Sequence, residues 1–264
     1  MPSAEKSNVV SMPALTTYHD VCEKHGEFQG KITEIMGRQF KSGCLDCAAE
    51  RKAAEAAAEA EAKAREDRDR LQRKLGSAMI PTRFLDRTFD SYRADTPRQH
   101  KALAVCREYA ENFADNYEAG RCLMLLGKPG TGKTHLGTAI ANDLVRNSSA
   151  MAVYRTVGGL LQYIKGSYDR DADYTEGEAF KSIVKPHLLI LDEVGATKPT
   201  EFEMATIFAV INGRYEERMP TVVISNLPPK ELPAAIGDRC VDRLREGGGI
   251  VVGFDWESAR GRVE

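Results

Sequence analysis

The run GKPGTGKTH, Gly127 to His135, sets Gly127, Gly132, Lys133 and Thr134 at the spacing G-x-x-x-x-G-K-[ST]. That spacing does chemistry on phosphate. Glycines let a backbone curl until its N–H groups converge on phosphate oxygens, and the amino end of the following helix adds positive potential. Lys133 is placed to reach the β- and γ-phosphates, and Thr134 to offer its hydroxyl to Mg²⁺. Gly127, Lys128, Pro129, Gly130, Thr131, Gly132, Lys133, Thr134 and His135 are therefore the candidate ATP cradle.

A triphosphate bound with magnesium needs a second acidic contact, best supplied at the end of a neighbouring strand. HLLILDEVG provides apolar residues followed by Asp192 and Glu193. Asp192 would complete the magnesium shell with Thr134, and Glu193 would activate the attacking water. Without the phosphate loop, two acids after a strand would be an ordinary solvated turn. TVVISN ends in Asn226, a polar amide where open α/β sheets bind ligands. Asn226 would hold the attacking water or contact the γ-phosphate; the alternative is a turn-forming Asn ahead of Leu227 and two prolines.

A second chemistry lies near the start of the chain. CEKHGEF and CLDC give Cys22-x₂-His25-x₁₈-Cys44-x₂-Cys47. A two-residue gap lets one turn aim both side chains at one ion, and four such ligands suit tetrahedral Zn²⁺. About 30 residues cannot collect a sufficient apolar core, so metal would supply the stability. His19 is a nearby substitute for His25, and the competing readings are a redox dithiol at Cys44 and Cys47 or unbound thiols. Cys106, Cys122 and Cys240 sit in or beside apolar stretches and are expected as buried thiols.

The elements that must carry these residues follow from pattern. Apolar runs CLMLL, MAVYRTV, HLLILD, TVVISN and GIVVGF alternate with helical stretches such as HLGTAIANDLV and FEMATIFAVINGRYEE. That alternation predicts an α/β fold, a three-layer P-loop domain whose parallel sheet is buried on both faces. It spans residues 77–264. Ahead of it, residues 1–17 read as a flexible tail and 18–47 as the zinc-binding module. Residues 48–76 are built almost wholly of Ala, Glu, Arg and Lys and read as a solvated, spacer-like helix ending at Gly76, the alternative being a weak coiled coil or a partner-binding helix. A net charge of −2 excludes a generally basic nucleic-acid coat, and no apolar run approaches the roughly 20 residues that span a membrane. The first residues lack the order of a secretory signal, so a reducing cytoplasm is expected.

The ordered set GKPGTGKTH, LLILDEVG, VVISN, GDRCVDRLRE and GFDWESARGRV resembles the AAA+ ATPases of the DnaC/DnaI helicase-loader family, close to the transposition helper IstB. The resemblance covers residues 80–263. It implies an ATPase that assembles with copies of itself on ATP and loads a DnaB-type replicative helicase onto single-stranded DNA. By position it makes Arg243 the arginine finger for the neighbouring copy's γ-phosphate, with Arg239 in reserve and Arg245 structural. About a dozen residues follow GIVVGF, so no full helical lid is expected.

Family position also places a single-stranded DNA contact between the second strand and the acidic strand. There Tyr154, Arg155, Tyr163, Lys165, Tyr168, Arg170 and Lys181 interleave rings with cations. Tyr163, Lys165 and Tyr168 are the chosen candidates, against the reading that these tyrosines are core or plain surface. Phe84 and Phe89, upstream of the phosphate loop, are adenine-packing positions in the family but equally suit a core. The zinc module is the inferred helicase-binding part. The rival readings are an IstB-like transposition helper and a weakly hydrolysing, nucleotide-gated DNA-binding adaptor.

Overall fold

The computed structural model describes residues 16–35 and 37–259. Two compact units divide the chain, Met1–Asp69 and Arg70–Glu264. The expected tail lies outside the described residues except for Thr16 and Thr17, which open the first strand.

The first unit holds an antiparallel meander of β1 (Thr16–Cys22), β2 (Gly26–Ile35) and β3 (Arg38–Lys41). Cys22 pairs with Gly26 across the β1–β2 turn, where Gly26 has φ 77°. Most strand residues are exposed, Tyr18, Cys22, Phe28 and Ile32 are half-buried, and Gly30 alone among them is buried. A Cβ at Gly30 would sit 2.4 Å from the Tyr18 ring, so only glycine lets that ring lie flat on the sheet. So little burial cannot hold three strands alone.

Helix α1 runs Leu45–Ala78, starting earlier than the charged stretch and passing through Gly76 instead of stopping there. The reason lies in its last turns, where Leu71, Leu75 and Ala78 join the apolar core of the second unit. That burial outweighs the roughly 0.5–1 kcal/mol a mid-helix glycine costs. The division between the units falls inside this helix.

In the second unit a 3₁₀ turn (Thr82–Phe84) precedes α2 (Pro97–Glu111), which opens with a Thr96/Gln99 capping box and Pro at its first turn. Then come α3 (Phe113–Glu118), β4 (Leu123–Gly127), α4 (Lys133–Asn147), β5 (Ala152–Thr156), α5 (Val157–Gly166) and α6 (Glu176–Val184). The chain continues through β6 (Leu188–Val194), α7 (Glu201–Glu216), β7 (Thr221–Ser225), α8 (Leu232–Ile236), α9 (Asp238–Arg245) and β8 (Ile250–Phe254). The five strands are all parallel, in the order β5-β6-β7-β4-β8, and they are the five apolar runs of the sequence.

Alternation sorts each strand between two cores. Leu123 and Leu125, Leu188 and Ile190, and Val222 and Ile224 face α2 and α4. Met124 and Leu126, Leu189 and Leu191, and Val223 face α5 to α9. Each fully buried Leu or Ile contributes roughly 1.5–3 kcal/mol, so burial on both faces secures the sheet. One cation is also fully buried. Arg214 of α7 donates to the carbonyls of Ile183, Val184, Pro186 and Pro220 and to Thr221 Oγ1. It ties the α6–β6 and α7–β7 connections together, and although burial pulls its pKa down to about 10, it stays charged at neutral pH. Among the described residues no helix is long and apolar enough to cross a membrane.

Candidate functional site

The phosphate loop links β4 to α4, with Gly127, Gly130 and Gly132 at φ 134°, 75° and 93°. Positive φ at three glycines turns the loop back on itself, a path that side chains would resist. At Gly127 a Cβ would lie 2.2 Å from the Phe254 carbonyl, because β4 and β8 run side by side to their ends. Main-chain groups of the loop are tied down by neighbouring segments. Lys128 N donates to Phe254 O, Tyr92 Oη and Trp256 Nε1 to Thr131 O, and Ala259 N to Gly130 O. Lys133 is 5% exposed, and its Nζ lies 2.7 Å from Gly127 O and 2.5 Å from Lys128 O, folded over the loop it would share with phosphate. A glycine-shaped turn, a buried ammonium and a helix amino terminus together fit a nucleotide's phosphates.

His135 looks away from that cradle. Its Nε2 is 2.9 Å from Thr88 O and 3.2 Å from Ser91 Oγ, and its ring meets Tyr92 edge-on. It anchors the segment ahead of α2. Phe89 is buried in the core beneath the Arg107 guanidinium, and Phe84 is packed against the same core.

Asp192 closes the unbroken buried run of β6 that starts at Leu188. Period-two alternation from Leu188 and Ile190 puts it on the α4 face, where Thr134 Oγ1 donates to its Oδ2 at 2.9 Å. Hydroxyl and carboxylate thus stand together as a magnesium site requires. The buried Tyr154 of β5 donates to the same Oδ2 at 2.8 Å, and the Glu193 backbone N–H to Oδ1 at 2.6 Å. Burial, then the neighbouring Asp192 charge, raises the Tyr154 pKa, so the phenol remains the donor.

A regular strand would have pushed Glu193 into the other core beside Leu191. Instead Leu191 to Val194 spans three steps against two from Val223 to Ser225, a β-bulge, and Glu193 takes φ 62°. Val194 fills the core position and Glu193 is left exposed. Bulges next to active sites re-aim a side chain in this way. On the neighbouring strand Ser225 Oγ donates to Val194 O, pinning the end of β7 from which the exposed Asn226 projects.

The late arginines differ in setting. Arg243 is half-buried, with its guanidinium 4.8 Å from the Phe208 ring centre and 5.4 Å from that of Tyr215. It lines a cavity of about 500 Å³ with Cys122 and Thr221, at the end of the sheet away from the phosphate loop. Arg239 and Arg245 are exposed on the same short helix.

Among the candidate DNA residues, Tyr154 is withdrawn by its bond to Asp192. Tyr163 stacks on Tyr174 at 4.8 Å under the Arg155 guanidinium, and Lys165 lies over Phe202. Tyr168 is 54% exposed and donates to Glu176. Lys165 and Tyr168 therefore face solvent, whereas the Tyr163 ring is already stacked.

In the first unit Cys22 Sγ, His25 Nδ1, Cys44 Sγ and Cys47 Sγ lie within 4.8 Å of one another. Cys22–Cys47 is 3.4 Å, and His25 is 3.7, 3.7 and 3.3 Å from Cys22, Cys44 and Cys47. Tetrahedral zinc with its usual bond lengths needs separations of about 3.6–3.8 Å, so the set fits. His19, paired with Gln29 on β1, is outside it. The β1–β2 turn brings the first pair and the start of α1 the second. The Cys22 thiol is pulled down to about 6 by the backbone N–H of Lys24, then that of His25. Cys47 is pushed up to about 11, chiefly by Cys22. Glu50, which sequence reasoning passed over, lies one turn past Cys47 and meets His25 Nε2 at 3.1 Å. A carboxylate on the second nitrogen is how zinc-binding imidazoles are oriented.

Comparison with known proteins agrees with this geometry. The family described as IstB-like ATP binding protein matches residues 47–245. The replicative helicase loader DnaC of Buchnera aphidicola subsp. Acyrthosiphon pisum (strain APS) is 31% identical over 195 residues, covering 74% of this chain and 78% of that one. DnaC of Escherichia coli (strain K12) is 30% identical, at 74% and 77% coverage. The crystal structure of the DnaC helicase loader superposes with a TM-score of 0.60 at 22% identity, covering 66% of this chain and 99% of that one, a likeness of AAA+ fold. On the strength of the match from 47 to 245 and the identity to DnaC, this chain belongs to the family of IstB-like ATP-binding proteins, among its DnaC-type members.

Proposed function

We propose that this chain is an ATP-hydrolysing loader that delivers a DnaB-type replicative helicase to single-stranded DNA. The observation that carries hydrolysis, beyond mere binding, is the bulge that frees Glu193 beside a Thr134–Asp192 pair already in contact. Lys133 and the loop amides bind the phosphates, Thr134 and Asp192 hold magnesium, Glu193 takes the proton of the attacking water, and Asn226 orients that water. Magnesium, when bound, screens the phosphate charge that the attack must approach.

The site is completed in this reading by Arg243 from a second copy, so the working form is an oligomer assembled on ATP in the cytoplasm. Tyr163, Lys165 and Tyr168 contact single-stranded DNA in this reading. Zinc on Cys22, His25, Cys44 and Cys47 folds the module that docks the helicase. Support for the helicase as partner is the identity to DnaC; support for a transposition helper is the IstB-like family match.

Size exclusion of the chain mixed with a purified DnaB-type helicase and ATP separates the two. A joint peak is the expected result. Separate elution, with binding to a transposase instead, would move the assignment to transposition.

A further inference from the structure

Asp192 is 4% exposed, and a carboxylate so deeply placed is costly unless donors surround it. Three do: Thr134 Oγ1 and Tyr154 Oη on Oδ2, and the Glu193 amide on Oδ1. Two of the three belong to parts that the proposed reaction itself engages. Thr134 must turn a lone pair toward the metal, and Glu193 sits in a bulge that exposes its side chain. Tyr154 alone comes from a strand with no other duty at the nucleotide. It is 5% exposed, with its ring among the residues that pack α4 onto the sheet. Strand pairing fixes where its hydroxyl can go, since Tyr154 lies opposite Ile190 and the next residue on that face of β6 is Asp192.

We propose that Tyr154 is a positioning residue of the magnesium site, its hydroxyl holding the Asp192 carboxylate in the orientation the metal shell uses. The proposal rests on the nucleotide reading above. An ionised carboxylate has about four lone-pair sites. Three donors leave room for a metal or a metal-bound water, and a carboxylate that cannot rotate loses no freedom when the ion arrives. The tyrosine ring supplies the rigidity, because rotation about its χ angles is blocked by the packed core.

The test is a magnesium titration on the full chain with a fluorescent ADP analogue as probe. Tyr154→Phe keeps the ring and removes the hydroxyl. Its half-saturating Mg²⁺ is expected to rise by about tenfold, the lower end of what losing an outer partner of a metal ligand costs. Binding of the analogue in EDTA should stay within about twofold of the parent, an order-of-magnitude margin for an undisturbed loop. A titration that superimposes on the parent overturns the proposal. So does an equal loss of affinity in EDTA, which would assign the tyrosine to the fold instead. Asp192→Asn in the same assay separates the two ideas. If it too leaves the magnesium response unchanged, the metal reading of Thr134 and Asp192 fails, and not merely the role of Tyr154.

Discussion

The Arg243 guanidinium lies 4.8 Å from the ring centre of Phe208, with Tyr215 on a second side and its Nη1 enclosed without a hydrogen-bond partner. Such an aromatic slot holds a cation by about 0.5–2 kcal/mol. An arginine finger worth about 10³ in rate corresponds to about 4 kcal/mol. In the proposed reading the finger's contribution in the transition state exceeds that of the slot, so the arginine would leave the rings for a neighbour's triphosphate as the reaction proceeds. Arg243→Ala should lose ATP turnover by about 10³ while binding nucleotide normally. Mixing it with Lys133→Ala should restore part of the turnover, since each variant supplies the half the other lacks. A mixture as inactive as its components would place the site within one copy.

Glu193→Gln removes the base and keeps the size. ATP binding should persist and turnover fall by about 10²–10⁴, measured as single-turnover phosphate release. A change confined to binding would mean that the bulge serves the fold and not the water.

Metal analysis should find about one zinc per chain, and Cys44→Ser should abolish it. Structural zinc contributes on the order of 10–16 kcal/mol of binding free energy, far above what the nearly bare β1–β3 sheet can supply. Removal of zinc by a zinc-selective chelator, with Mg²⁺ kept in excess, should therefore erase the strand signal of the first unit, followed by circular dichroism, and leave nucleotide affinity in the second unchanged. Glu50→Ala should weaken zinc by about 10–100-fold in chelator competition.

Arg214→Met should be among the most damaging single changes in the second unit. It takes the guanidinium away from four backbone carbonyls and the Thr221 hydroxyl, of which Pro220 O keeps the Leu189 N–H, and each buried group left unpaired costs about 1–3 kcal/mol. Urea unfolding should show a loss of more than about 3 kcal/mol. A smaller loss would mean that water enters to replace the guanidinium.

The phosphate loop, the acidic strand end and the five parallel strands were legible because each rests on local spacing or on alternation. Tyr154 was readable in principle by the same alternation, but its neighbours in sequence are cations and rings, and those suggested a DNA surface. Glu193's exposure was not readable: a bulge depends on how β6 registers with β7, about 30 residues away. The meander of β1 to β3 escaped notice because its mostly exposed strands carry no apolar stripe and hence no readable period. Gly76 misled for the opposite reason, since Leu71, Leu75 and Ala78 anchor the helix beyond it through contacts with distant segments.

The bonds from Trp256 and Ala259 to Thr131 O and Gly130 O have a consequence for judging relatives and fragments of this chain. A phosphate loop works only while its backbone keeps the path that presents its amides, and here the stretch after β8 fixes part of that path from the rear by donating to two of its carbonyls. A version trimmed after Phe254 would retain every residue by which a signature search recognises an ATP binder, and would lose the backstop. Recognisable and competent are separate properties in this architecture, and the last few described residues decide between them.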